Sequence, residues 1–352
     1  MDQPSDDKTN VVHQQVLAGR YRVDGRLGEG GMGSVLMCLD LTTKQHVAVK
    51  MLGLDLVDKP EFVTRFDREA RLLAKLNHPG LVPLIAVDSH EGAPFIVMKL
   101  IEGQTLDRLI KERKRLSVRQ ALPLVQQLAS ALDFLHARGV VHRDLKPANI
   151  MVDANDRLTL VDFGISQQKN TTRLTLPGLV LGTPLYMAPE QILTDEAGPS
   201  ADIYALALLT WVMLVGEHPF AREERRESMF TRQVMEVPAF ADALNPAVPA
   251  PVAQVLQRSL EKDPALRHPT AMDFYGDLAR SNGFDSTTSE PDLPRSAAGD
   301  TAPSVGQGAT VVFTRAQTVV DPPQPAGPTT AMVLAVVGVA VVLAALLVWI
   351  LK

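Results

Sequence analysis

Between Tyr21 and Leu100 apolar and polar residues alternate in short runs, the period of half-buried β-strands. "YRVDGRLGEG", "GSVLMCLD", "HVAVKML", "LVPLIAV" and "PFIVMKL" each read as a strand set off by turn residues. One segment breaks the rhythm. In "PEFVTRFDREARLLAKL", Phe62, Phe66, Glu69, Leu73 and Leu76 recur at spacings of four and three, on one face of a helix. From "TLDRLIKERKRL" onward the pattern is mostly helical. "ADIYALALLTWVML" is apolar on every face yet too short to cross a bilayer, which marks a central buried helix. These runs predict an α+β chain: a small strand-rich lobe with one helix, a larger helical lobe, and a cleft between them.

Composition divides the chain further. Residues 1–20 form an N-terminal extension, and its start, "MDQPSDDKTN", has no apolar core and is no secretory signal. Residues 21–280 are the globular zone, with lobes at about 21–101 and 102–280. Residues 281–330 shift to Ser, Thr, Pro, Gly and Ala, and such a stretch buries too little apolar surface to offset chain entropy. A disordered linker is expected there. Residues 331–351, "AMVLAVVGVAVVLAALLVWIL", carry no charge. As a helix they reach about 30 Å, so one transmembrane helix is expected. A net charge of −5 gives no reason to expect nucleic acid as a partner. The single cysteine, Cys38, excludes an intrachain disulfide framework and reads as a small buried hydrophobe on a strand. His78, His90, His136 and His218 show no metal-ligand spacing, and the runs "KERKR" and "REERRE" read as solvated faces.

Candidate chemistry begins with two awkward charges. Period-two alternation puts Lys50 on one side of its strand with Ala48 and Leu52, while Glu69 sits in the apolar stripe of the helix. Each needs a partner of opposite charge, and a structural ion pair serves as well as a catalytic one. Upstream, "LGEGGMGSV" places Gly28, Gly30 and Gly33 as G-x-G-x-x-G. A dinucleotide fingerprint would open a helix, but here a strand follows, so the loop reads as a hairpin tip. Its backbone suits close approach to phosphates, although a plain glycine-rich hairpin stays open. Then come "HRDLKPANI" (His142 to Ile150) and "DFG" (Asp162 to Gly164), with "MVDANDRLTLV" between them as a hairpin. Two carboxyl-bearing loops and an Asn offer the hard oxygen ligands that metal-assisted phosphoryl transfer requires. "GTPLYMAPE" (Gly182 to Glu190) and "SADIYAL" around Asp202 complete the series.

In order and setting, these motifs resemble those of the eukaryotic-like (Hanks-type) Ser/Thr protein kinases, in particular the bacterial membrane-anchored kind, over about Tyr21 to Arg280. The resemblance implies the bilobal protein kinase fold, with a β-rich N-lobe carrying helix αC and a larger helical C-lobe. It implies transfer of the ATP γ-phosphate to Ser or Thr of proteins, with magnesium or manganese as the cation. By resemblance, the loop formed by Leu27, Gly28, Glu29, Gly30, Gly31, Met32, Gly33, Ser34 and Val35 covers the phosphates. Val35, Ala48 and Met151 sandwich the adenine, and Lys50 binds the α- and β-phosphates while pairing with Glu69. Asp144 accepts the proton of the substrate hydroxyl or orients it, Lys146 steadies the γ-phosphate, and Asn149 and Asp162 hold the metal. Glu190 is expected to pair with Arg267. "KPAN" and Thr183 point to Ser/Thr rather than Tyr acceptors. One departure stands at the adenine rim: Met98 occupies the gatekeeper position and Lys99 follows, where the family commonly has an acidic residue; the backbone of Lys99 and Ile101 would still serve adenine.

Arg143 before Asp144 resembles kinases whose activation loop is ordered by phosphorylation, and Thr171, Thr172 and Thr175 are the candidate acceptors. In the linker, Thr318 followed by Asp321 resembles a phosphothreonine ligand of forkhead-associated domains. Cytoplasmic ATP and substrates would put the kinase domain inside the cell membrane and the C-terminus of a single-pass helix outside. Only Lys352 follows that run, so the helix is expected to be an anchor without an outer sensor domain. Its small residues Ala331, Ala335, Ala340 and Ala344 suit pairing of two helices, hence a dimer. The competing reading is a pseudokinase acting as a nucleotide-responsive membrane scaffold, which intact Lys50, Asp144, Asn149 and Asp162 oppose.

Overall fold

The computed structural model describes residues 15–30, 33–59, 62–64, 66–67, 70, 74–162, 185–194, 197–220 and 226–283. All lie within one compact unit, Met1–Pro291. The first lobe is a six-stranded antiparallel sheet of β1 (Val16–Leu17), β2 (Tyr21–Gly30), β3 (Gly33–Asp40), β4 (His46–Leu52), β5 (Leu84–His90) and β6 (Ala93–Lys99), in the order β1-β2-β3-β4-β6-β5. The period-two pattern sorts β4 between two cores. Ala48 and Leu52 face the large core shared with the second lobe, and Val47 and Val49 face a smaller one with Leu17, Tyr21, Cys38 and Phe95. Cys38 is fully buried there, and burial pushes its thiol up to about 11.

The strand expected at "LVPLIAV" starts three residues later, at Leu84. Pro83 has no N–H to donate to a ladder. The residues before it pair elsewhere: Leu160 N–H donates to Gly80 O and Val82 N–H to Leu160 O, each at 2.9 Å. That exchange ties the first lobe to the second. Of the helix expected over "PEFVTRFDREARLLAKL", residues 62–64, 66–67 and 70 are described as helical, with Phe66 and Ala70 buried.

The second lobe has α1 (Leu106–Arg113), α2 (Val118–His136), α3 (Pro189–Leu193), α4 (Pro199–Val215), α5 (Arg226–Met235), α6 (Ala250–Ser259) and α7 (Ala271–Ser281). A small sheet of β7 (Gln104–Thr105), β8 (Ile150–Val152) and β9 (Leu158–Leu160) lies against them. Helix α2 opens on a capping box in which Ser117 and Gln120 satisfy each other's backbone N–H groups. Helix α4 is buried from Ala201 to Leu214, as an all-round apolar helix must be. It stops at Gly216 (φ 95°), where a Cβ would stand 2.1 Å from Lys114 O. The run "KERKR" is exposed but not wholly idle: Lys111 pairs with Asp107 on its own helix, and Arg115 donates to Asn245 at 3.2 Å. Among the described residues no helix is long and apolar enough to cross a membrane; residues 331–351 lie outside them.

Candidate functional site

The loop from His142 to Asn149 joins α2 to β8 and turns through one 3₁₀ turn at Pro147–Asn149. Around Asp144 it closes a compact polar group. Lys146 Nζ donates to Asp144 Oδ2 at 2.7 Å, and Asn149 Nδ2 donates to Asp144 O at 2.8 Å and to Oδ2 at 3.0 Å. Spending the Asn149 amide nitrogen on Asp144 settles which way the side chain is turned, leaving its carbonyl oxygen as the group free to meet a cation. Val161 N–H donates to Asn149 O at 3.0 Å, so Asn149 and Asp162 are held side by side at the mouth of the β8–β9 hairpin.

Asp202 of α4 holds this loop from beneath. Only 1% exposed, its carboxylate accepts from the backbone N–H groups of His142 (2.8 Å) and Arg143 (2.9 Å) and from His136 Nε2 (2.7 Å). Gln191 adds a bond to Arg143 O at 3.1 Å. His136 and Gln191 were not legible as site residues. Neither stands in a motif, and only the crossing of α2, α3 and α4 brings them to the loop.

Across from this loop, Lys50 on β4 forms an ion pair with Asp162. Glu69, the partner expected for Lys50, lies outside the described residues, as do Gly31, Met32, Phe163, Gly164, Thr183, and the phosphoacceptor candidates Thr171, Thr172 and Thr175. β-Pairing sets Val35 opposite Lys50 and Ala48 opposite Met98. Ala48 and Met98 are buried, Val35, Met151 and Ile101 are half-buried, and Lys99 is exposed. Ala48 and Met98 belong to the large core, with Val35 and Ile101 packed against it, on the side of β4 that carries Lys50. Leu27 is exposed, and Glu29 is exposed and engaged by Arg26 at 2.6 Å. The glycine-rich stretch is the tip of the β2–β3 hairpin, with Glu29 opposite Ser34 and Gly30 opposite Gly33. Gly33 takes φ 141°, and a Cβ there would lie 1.9 Å from Met51 O, so no other residue fits without a backbone shift. At Gly28 a Cβ would meet nothing within 4 Å, which leaves backbone facing open space.

The donor set suits a hard cation that keeps most of its ligands from elsewhere. Among the described residues no three His, Cys, Asp or Glu side chains form a metal cage. Asn149 and Asp162 supply one amide and one carboxylate oxygen, the sparse protein ligation of a magnesium ion shared with phosphates. Lys50 and Lys146 supply cations on either side of that position.

Farther down, Arg267 is fully buried and engages Glu190 bidentately, at 2.7 and 2.9 Å, as expected for that pair. Its guanidinium also donates to the carbonyls of Ser200, Glu261 and Lys262. The pair anchors the start of α3, and through it Gln191, to the base of the lobe.

Residues 21–275 match the family model described as protein kinase domain. Among curated relatives, the chain is similar to the serine/threonine-protein kinase PknA of Mycobacterium tuberculosis, 35% identical over 75% of this chain and 61% of that protein. It is also similar to the serine/threonine-protein kinase PrkC of Bacillus subtilis, 34% identical over 74% of this chain and 40% of that protein. It thus spans less than two thirds of the length of these relatives. Among solved structures, the PknI kinase domain of M. tuberculosis superposes with a TM-score of 0.62 at 29% identity, over 77% of this chain and 98% of that one.

Proposed function

This chain belongs to the protein kinase family, and from that premise we propose that it transfers the γ-phosphate of ATP to serine and threonine hydroxyls of proteins, its own included. The observation that carries the reading is the Asp144, Lys146 and Asn149 group, pinned through its backbone to Asp202 and facing the Lys50–Asp162 pair. Phosphoryl transfer asks a protein for positioning and charge more than for covalent chemistry. Lys50 anchors the non-transferred phosphates, and the hairpin backbone around Gly28 and Gly33 lies over them. Ala48, Met98, Val35 and Met151 take the adenine. Asp144 receives or orients the acceptor hydroxyl, and Lys146, already at Asp144, neutralises charge as the phosphoryl group moves. A magnesium ion held by Asn149 and Asp162 would neutralise phosphate charge and orient the γ-phosphate in line. The pseudokinase alternative has nothing in its favour, since Lys50, Asp144, Asn149 and Asp162 are all present.

Labelled-ATP transfer by the full chain in detergent, beside Asp144→Asn, tests this directly. The variant should lose about a hundredfold or more of the rate. Equal incorporation by both would refute the assigned role.

The same reading extends to regions outside the described residues. Autophosphorylation at Thr171, Thr172 or Thr175 is supported by the order Arg143–Asp144, which resembles kinases whose activation loop is ordered by phosphorylation. The uncharged run 331–351 supports a single membrane-crossing helix, with residues 21–280 on the cytoplasmic side where ATP is, the C-terminus outside, and small alanines suited to pairing. Thr318 with Asp321 supports a forkhead-associated partner for the phosphorylated linker.

A further inference from the structure

The peptide group that joins Arg143 to Asp144 is held at both ends. Its N–H donates to His142 O, two residues back, at 2.9 Å, closing a three-residue turn around Arg143. Its carbonyl, Arg143 O, accepts from Gln191 Nε2 at 3.1 Å. Gln191 is buried, and the other end of its amide is used as well: Oε1 accepts from Ala188 N–H at 2.9 Å. The two bonds settle which way the amide is turned, since a flip would set donor against donor and acceptor against acceptor. The base from which this amide reaches is braced on both sides. Gln233 of α5 donates to Leu185 O at 2.8 Å and to Met187 O, just before α3. Glu190, the neighbour of Gln191, is held by both carboxylate oxygens to buried Arg267. Gln191 thus spans from a fixed helix start to the peptide that aims Asp144.

We propose that Gln191 is a positioning residue for phosphoryl transfer: its amide N–H, and not its carbonyl oxygen, keeps the Arg143–Asp144 peptide in the orientation that points the Asp144 carboxylate at the acceptor hydroxyl. The assignment rests on the kinase reading. A partly buried carbonyl that loses its donor costs free energy, which the peptide recovers by turning toward water about the Arg143 Cα–C bond. That turn carries the Asp144 side chain away from Lys146 and Asn149, which now hold its carboxylate at 2.7 and 3.0 Å. Asp202 does not oppose it. Its bonds go to the N–H groups of His142 and Arg143, which precede the rotating bond. The two ends of the Gln191 amide therefore act separately: the oxygen completes the start of α3, and the nitrogen reaches across to the catalytic loop.

Gln191→Glu in the full chain separates the two ends. The carboxylate still accepts from Ala188 N–H, but it has no proton for Arg143 O and sets two oxygens against each other. At about pH 8 its kcat should be about tenfold below wild type, with KM for ATP unchanged. Acid supplies the missing proton, and burial brings that protonation to higher pH. The rate relative to wild type at the same pH should therefore climb as pH falls from about 8 to about 6, which a merely weakened fold would not do. On the elements around α3 the charged groups are Arg143, Asp202, Arg267 with Glu190, and the Arg232–Glu236 pair of α5. Both chains carry them, so the ratio isolates the new carboxyl. Gln191→Met, similar in length and without a donor, should be slow at every pH; if it fails to fold, Gln191→Glu, which keeps the bond to Ala188, carries the test. A Glu variant as fast as wild type at about pH 8, or a ratio flat with pH, would overturn the role. Independently of phosphate transfer, amide hydrogen exchange over residues 142–149 should run several-fold faster in Gln191→Glu at about pH 8, and unchanged exchange would also overturn it. Wild-type chain that transfers no phosphate would count against the kinase reading, while the exchange still decides on the Gln191 tether.

Discussion

Arg143 sits at φ 66°, a left-handed conformation that side chains of its size avoid at a cost of about 1–3 kcal/mol. The conformation persists because three hydrogen bonds from two side chains over-determine it. Asp202 takes the N–H of Arg143 and of its neighbour, and Gln191 takes its carbonyl. The result aims Asp144 at Lys146 and Asn149. A second residue makes a testable statement about pH. His218 is buried, accepts from Phe220 N–H at 3.2 Å through Nδ1, and burial presses it down to about 4 from the usual 6.5. The folded protein thus keeps this ring neutral where the unfolded chain would protonate it. Its stabilising contribution is whole above pH 6.5 and is lost as pH falls from there toward 4, by at most about 3 kcal/mol. His218→Asn, which keeps an acceptor, should flatten the decline in melting temperature over that range. Parallel curves for the two proteins would exclude His218 as its source.

At the scale of elements, the strands and helices follow from local pattern, and their ends follow from particular residues. The Ser117–Gln120 capping box starts α2, the helix that delivers His136 to Asp202 and packs through most of its length in the core. Ser117→Ala should cost about 1 kcal/mol in chemical denaturation and leave kcat unchanged. A loss under about 0.3 kcal/mol would mean the box is dispensable. Strand β5 shows where local reading stops. Its hydrophobic run was visible, but its first residues exchange hydrogen bonds with Leu160 of the other lobe, a choice set by Pro83 and by β9 together.

For the whole molecule, the two lobes share one large hydrophobic core, in which Ala48, Leu52 and Met98 of the sheet meet the helices. That continuity brings Lys50 of β4 to Asp162 beyond β9, residues 112 positions apart in sequence. The membrane anchor proposed for residues 331–351 is tested on the whole chain. Full-length protein should stay in the membrane pellet through an alkaline carbonate wash, and a chain lacking 331–351 should be released. Full-length protein in the supernatant would sink the anchor.

What the amino-acid sequence determined by itself was whatever neighbouring residues decide. It settled the alternation that makes strands, the apolar helix that had to be central, and the ordered motifs that marked the site. Tertiary structure alone decided the long-range partners: Asp202 beneath the catalytic loop, His136 and Gln191 beside it, and Lys262 sharing Tyr204 with Arg267. The physical reason is range. A strand or cap depends on a few adjacent residues, whereas a buried charge finds its partner only after distant segments have packed and excluded water.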